Sequence, residues 1–409
     1  MNAGTASSGS PLDSSYSWLR LSIALLISTL GSAGMWTVVV VLPTVQAEFG
    51  SPRADASLPF TFTMIGFGAG NIAMGWLADR FGIVRPLMLG AVSIALGYLC
   101  AGLAPSLWIF ALAHFLIGFG VASMFGPLIA DCSHWFLRRR GIAVGIAASG
   151  NYLAGTLWPI LTQKAVVAYG WRPTHIVVGL LCFCLIVPLS LALRRRLPAH
   201  EAAAASARAS SARADIGMSL GMLHVLLSVA AFLCCVAMAV PQVHIVAYCG
   251  DLGYGVARGA EMLTLMLGFG IVSRLASGFI ADRFGGLPTL LIGSMMQAVA
   301  LALYFSFDGL SSLYIISILF GLFQGGIVPS YAIIVREYFP PQEAGMRVGV
   351  VIAISVVGMA LGGWAAGWIF DLTASYRVAF AVGFISNILN LVIAVWLLLR
   401  LPKPRMAYA

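Results

Sequence analysis

Gly75-Trp76-Leu77-Ala78-Asp79-Arg80-Phe81-Gly82 is repeated at six of its eight positions by Gly278-Phe279-Ile280-Ala281-Asp282-Arg283-Phe284-Gly285. Each copy closes an apolar run of about twenty residues, the length that crosses a bilayer core. A duplication this regular points to a chain built twice from one unit.

Reading outward from the two copies, apolar runs recur over 19–43, 57–78, 84–104, 106–130, 142–168 and 174–193. They continue over 220–249, 258–281, 287–307, 311–334, 347–370 and 377–400. Six runs lie in each half, and the copies close the second and the eighth. The pattern predicts an all-α membrane protein of twelve transmembrane helices in two pseudo-symmetric six-helix bundles. The expected divisions are a polar tail over 1–18, a first bundle over 19–193, an Ala-, Ser- and Arg-rich linker over 194–218, a second bundle over 219–400 and a tail over 401–409. No stretch remains for a separate catalytic domain.

Composition agrees. The 409 residues are 60% hydrophobic and 9% charged, whereas soluble domains carry about 25% charged residues. The net charge of +9 would suit a nucleic-acid ligand, but its distribution speaks against one. With both termini inside, seventeen Lys and Arg fall on the inner side and five on the outer, and Arg274 lies within a span. That is the positive-inside bias, which sets the orientation of a polytopic chain. The expected location is a bacterial plasma membrane with both ends in the cytoplasm. The seven cysteines show no metal-ligand spacing. No Gly-x-x-x-x-Gly-Lys phosphate loop appears, and neither does a nucleophile or a paired-carboxylate constellation. Neither cofactor, metal nor enzymatic chemistry is indicated, and a monomer is expected.

Gly75-x-x-x-Asp79-Arg80-x-Gly82-x-x-Arg85, with its second copy at Asp282-Arg283, resembles the loop motif of the major facilitator superfamily. The resemblance covers the whole chain. It implies two bundles that rock about a central site. Asp79, Arg80, Arg85, Asp282 and Arg283 would then form a cytoplasmic gate, latched when that side closes. The plainer alternative is that both Asp residues cap helices and balance nearby Arg.

Glycines recur at short spacing at Gly66 and Gly70, at Gly145, Gly150 and Gly155, and at Gly358, Gly362 and Gly367. Such stripes let helices approach closely in lipid. Pro43, Pro127, Pro159, Pro241 and Pro329 mark kinks or breaks.

Arg274 stands about two turns inside the Asp282 end of its span. An arginine in hydrocarbon costs at least about 2.5–3.5 kcal/mol, and no Asp or Glu lies near the centre of any span to offset it. A small organic anion is the expected partner, held by charge-assisted hydrogen bonds. The structural alternatives are an Arg reaching the interface or one bonded to the carbonyls of broken helices.

Arg274 followed by Gly278 resembles the eighth span of the monocarboxylate transporters and the oxalate:formate antiporter group. So do His134-Trp135-Phe136 running to Gly145, and His244-Ile245-Val246-Ala247-Tyr248. The resemblance places Arg274 where the substrate carboxylate binds. Gly270 and Phe125 depart from it, since relatives carry polar side chains at both positions. Trp36, Phe125, Trp364 and Gln324 are the other candidate pocket residues, for an apolar tail and a carboxylate oxygen. His244, beyond Pro241, is the candidate for a coupled proton, and His114 is a weaker one. The expected function is secondary transport of a monocarboxylate, proton-coupled. Anion exchange, export of hydrophobic compounds and a flux-free sensor are the rivals.

Overall fold

The computed structural model describes residues 12–136, 140–195, 218–339 and 341–400. The linker expected over 194–218 lies outside them except for 194, 195 and 218, and the tail over 401–409 lies wholly outside.

Sixteen helices are described. The first half holds α1 (Ser15–Gly31), α2 (Ala33–Phe49), α3 (Arg53–Phe81), α4 (Val84–Gly102), α5 (Leu107–Ala122), α6 (Gly126–His134), α7 (Arg140–Ala148), α8 (Gly150–Tyr169) and α9 (Trp171–Ala192). The second holds α10 (Leu220–Asp251), α11 (Val256–Phe284), α12 (Gly286–Ser306), α13 (Leu310–Gln324), α14 (Ile327–Tyr338), α15 (Pro341–Thr373) and α16 (Tyr376–Arg400). Four spans are interrupted, at Ser32, at Ser123 to Phe125, at Ser149 and at Gly325–Gly326, so sixteen helices make twelve spans. Ten are long and apolar enough to cross a membrane by length and composition. The other two, α3 and the α7–α8 pair, carry polar residues such as Asn71 and Asn151 along their lengths.

Local chemistry explains the boundaries. Ser14 caps α1 by accepting from the Ser17 N–H at 3.3 Å, so that helix starts a turn before the apolar run does. The repeated motif ends its two helices identically. Gly82 and Gly285 have φ of 80° and 87°, a region where side chains other than glycine's are strained. Each donates its N–H at 2.8 Å, to Ala78 and Ala281 respectively. The duplicated glycine is therefore a helix stop.

Prolines divide into two kinds. Pro127 and Pro329 sit just after interruptions, whereas Pro43, Pro159 and Pro241 lie inside continuous helices.

Packing follows the duplication. In the first half α3 lies against α5 and α4 against α9. In the second, α11 lies against α13 and α12 against α16, which are the equivalent pairs. Close approach needs the glycines: a Cβ on Gly66 or Gly70 would stand 2.2 or 2.5 Å from a backbone oxygen of α5. The halves meet along α3 with α15 and α8 with α11. Those contacts run from Arg53 and Asp371 down to Gly68 and Val356. Towards the basic end, Gly75, Gly345 and Gly349 have none of the described residues within 4 Å of an added Cβ. The two halves are thus joined at the Arg53 end of α3 and parted at its Asp79 end.

Charges expected merely to mark topology also have partners. Arg20 is 2% exposed and grips both oxygens of Asp131, at 2.8 and 2.9 Å, and the Leu193 carbonyl at 2.9 Å. The pair ties α1 to α6 and to the end of α9.

Candidate substrate site

Two span interruptions meet at Arg274. Ala148 ends α7 and Gly325 follows α13, so neither carbonyl is consumed by a continuing helix. Arg274 on α11 donates Nη1–H to the Ala148 oxygen at 2.8 Å and Nε–H to the Gly325 oxygen at 3.3 Å. Helix C-termini carry partial negative charge, and half-helix ends coordinate cations in transporters of broken-helix design. The bonding to broken-helix carbonyls, one of the structural alternatives for Arg274, is what the structure shows.

That bonding leaves charge over. The guanidinium has five N–H donors, and two are used on carbonyls. Its Cζ lies 4.6 Å from the ring centre of Tyr152 on α8. Among the described residues no carboxylate pairs with it. Arg274 is half-buried, and Ala148 and Tyr152 belong to one half while Gly325 belongs to the other. The cation bridges the two bundles.

The neighbourhood of Arg274 is built by small residues. The Gly325 N–H donates to Ser273 Oγ at 3.1 Å, and a Cβ on Gly325 would lie 2.3 Å from the Gly270 oxygen. A Cβ on Gly270 would itself lie 2.4 Å from the Tyr152 ring.

Gln324, next in chain to Gly325, is 1% exposed and accepts from Gln242 of α10 at 2.6 Å. Gln242 Oε1 and Gln324 Nε2 are buried with no hydrogen-bond partner among the described residues. Trp36 is 4% exposed and donates to Asn151, to its side-chain oxygen at 3.0 Å and its carbonyl at 3.1 Å. It braces α2 against α8 beside Tyr152. Phe125 packs on Phe67 with ring centres 5.8 Å apart. Trp364 is stacked on Trp368 of its own helix at 6.2 Å. Gln324 is the chain neighbour of Gly325 and Trp36 is bonded to the chain neighbour of Tyr152, whereas Phe125 and Trp364 have Phe67 and Trp368 as their ring partners.

His244 is fully buried, with Nδ1 3.0 Å from Tyr376 Oη and Nε2 2.7 Å from the Gly363 carbonyl. His114 bonds the Phe110 carbonyl at 2.8 Å and packs in a ring cluster with His175. Of the expected gate residues, Asp79 is exposed with no ion pair among the described residues. Arg80 and Arg85 lie over Phe81, at 5.7 and 4.6 Å. Arg283 lies over Phe284 at 5.6 Å, and the Asp282 side chain falls outside the described residues.

Tyr152, Asn151 and Gln242 were missed from the sequence. Their one local signal is a polar group inside an apolar run, which Tyr and Asn share with many packing residues.

Comparison with known proteins agrees with the duplicated motif. The chain is 27% identical to monocarboxylate transporter 13 of Bos taurus over 390 residues, 91% of this chain and 87% of that one. It is 23% identical to the agnestins efflux protein AgnL12 of Paecilomyces divaricatus, over 82% of this chain and 77% of that one. Its fold matches a bacterial homologue of the human lysosomal transporter Spinster, solved inward-facing and occupied. That match has a TM-score of 0.72 at 16% identity and covers 97% of this chain and all of that one. The family model described as Major Facilitator Superfamily matches residues 24–310 and 251–408. With that match spanning both bundles, the chain belongs to the Major Facilitator Superfamily of multi-pass membrane transporters, which are not enzymes.

Proposed function

We propose that this transporter carries a small organic anion with one carboxylate, and that Arg274 binds the carboxylate. One observation carries the reading: a half-buried cation in mid-span whose partners among the described residues are two carbonyls and Tyr152, all neutral. Helix-end carbonyls orient a guanidinium but contribute only fractional charge, so a full negative charge arriving with substrate is the missing complement. Trp36, bonded to Asn151 beside Tyr152 in the chain, and Gln324, beside Gly325 in the chain, are the further candidates. The full-length similarity to a monocarboxylate transporter supports the substrate class.

Transport proceeds by rocking of the bundles over 19–193 and 219–400 about Arg274. The basic end faces the cytoplasm, as the Lys and Arg asymmetry requires, and the Arg53 end faces outward. Coupling to an inward proton, with His244 in the path, makes uptake of a monoanion electroneutral. The Asp79 and Asp282 loops latch the cytoplasmic end when it closes. Asp79→Asn should then increase thiol labelling of a cysteine at Gly145, and unchanged labelling in folded protein would count against a latch.

A second reading, export of apolar compounds, draws on the efflux protein among the relatives. A thermal-shift screen of purified protein separates the two, because a ligand stabilises by mass action. Carboxylates should raise the melting temperature while their neutral esters do not, and Arg274→Ala should abolish the rise. Stabilisation by neutral apolar compounds alone favours export.

A further inference from the structure

At the Arg53 end, each half holds the other by a helix terminus. Asp371, in the last turn of α15, accepts the N–H of Arg53 and the N–H of Ala54 on its two oxygens, both at 2.7 Å. These are the first two residues of α3, whose own N-cap position is Pro52 and supplies no side-chain cap. Arg53 is 6% exposed and donates Nη1–H to Tyr376 at 2.9 Å and Nη2–H to Asp251 at 3.1 Å. Its guanidinium also lies 4.8 Å from the Phe370 ring centre.

Each of these charges is on the unfavourable end of its own helix. Asp371 and Asp251 sit at C-termini, where the helix dipole is negative, and Arg53 sits at an N-terminus, where it is positive. Taken alone, each half is destabilised by them. Joined, the carboxylate meets the positive end of α3 and the guanidinium meets the acid at the end of α10. Directly beneath, Ser57 and Gly367 let α3 and α15 touch: a Cβ on Gly367 would stand 2.7 Å from Ser57 Oγ. At the opposite end the same two helices are apart.

We propose that Asp371, Arg53 and Tyr376 form the gate that seals the Arg53 end of the transport path, and that it comes apart whenever the path opens there. The contacts of Arg53 with Asp371, Asp251 and Tyr376 are short-range and cross-half, so they hold one state and are lost once the halves separate there. The proposal does not depend on which solute is carried.

The test reads thiol accessibility in purified protein, with the exposed Cys100 and Cys184 replaced by serine. Ser57→Cys places a buried thiol under the gate, and Gly145→Cys places one beside Leu275 at the far end of the α8–α11 seam. Adding Asp371→Ala should speed maleimide labelling of Ser57→Cys roughly tenfold. Labelling of Gly145→Cys should fall as well, by the share of molecules that leave the state open at that end, because opening one end closes the other. Asp371→Asn keeps the shape and one acceptor, so it should give a smaller change in both directions, and it serves where the alanine variant does not fold. An unchanged Ser57→Cys rate in folded variants would overturn the proposal. So would a faster rate there with no fall at Gly145→Cys, which is local fraying and not a gate.

Discussion

The ring of Tyr152 occupies the space that a side chain at position 270 would fill. A Cβ on Gly270 would be 2.4 Å from ring Cε1 and 2.6 Å from Cδ1, and the Arg274 Cζ lies 4.6 Å from the centre of the same ring. The departure at Gly270 is thus matched by a phenol from the opposite half. A polar group is not simply lost from this site; Tyr152 supplies one from another helix.

Gly270→Ala should therefore displace Tyr152 and destabilise the protein by about 1–3 kcal/mol, the cost of overpacking. Tyr152→Ala should relieve much of that penalty, so the double variant is more stable than the sum of the single ones predicts. A double-mutant cycle on melting in detergent measures the coupling, expected at about 0.5–3 kcal/mol. Additive effects would place the two residues out of contact.

Arg274→Ala should weaken carboxylate binding by about 10- to 150-fold, the equivalent of losing a charge-assisted contact of roughly 1.5–3 kcal/mol. Arg274→Lys keeps the charge but cannot hold both Ala148 and Gly325 in a planar fork while binding an anion. It should fall between wild type and alanine. Calorimetry on folded protein decides, and equal affinity in wild type and Arg274→Ala makes the residue structural only.

The Gln242–Gln324 pair gives an asymmetric expectation. Gln324→Leu strands a buried amide on Gln242, at about 1–3 kcal/mol. Replacing both with leucine removes the orphan as well, so the double variant should melt higher than Gln324→Leu alone. If it melts lower, the pair contributes net stability beyond satisfying itself.

His244 is held in a directional chain. The Gly363 carbonyl can only accept, so Nε2 carries a hydrogen, and in the neutral imidazole Nδ1 then accepts from the Tyr376 hydroxyl while the Tyr376 oxygen accepts from Arg53. A hydrogen on Nδ1 as well would bring a second cation to the Tyr376 oxygen, against Arg53. With coupling through this residue, substrate added outside proteoliposomes acidifies the lumen, and His244→Ala blunts that signal at equal reconstitution. Uptake indifferent to a pH gradient would instead support exchange.

Much was legible in the linear chain because membranes impose local rules. Span length, the duplicated Asp–Arg turn and the Lys and Arg bias each depend on residues close together, and an arginine in mid-span is conspicuous wherever it packs. Gly82 and Gly285 could be read as stops from the motif alone, and the structure shows the positive φ that requires them. Partnership was not legible. Arg53 looked like one of five outer charges, yet its guanidinium is buried against Asp251, 198 residues away, and its backbone N–H meets Asp371 of the other half. Tyr152 and Gln242 looked like isolated polar groups in apolar runs. Lipid is as apolar as leucine, so hydropathy cannot say which face of a span meets lipid and which meets another helix. Which carbonyls an interruption frees, which charge crosses between the halves, and which end of the molecule is closed were decided only when the two bundles packed together.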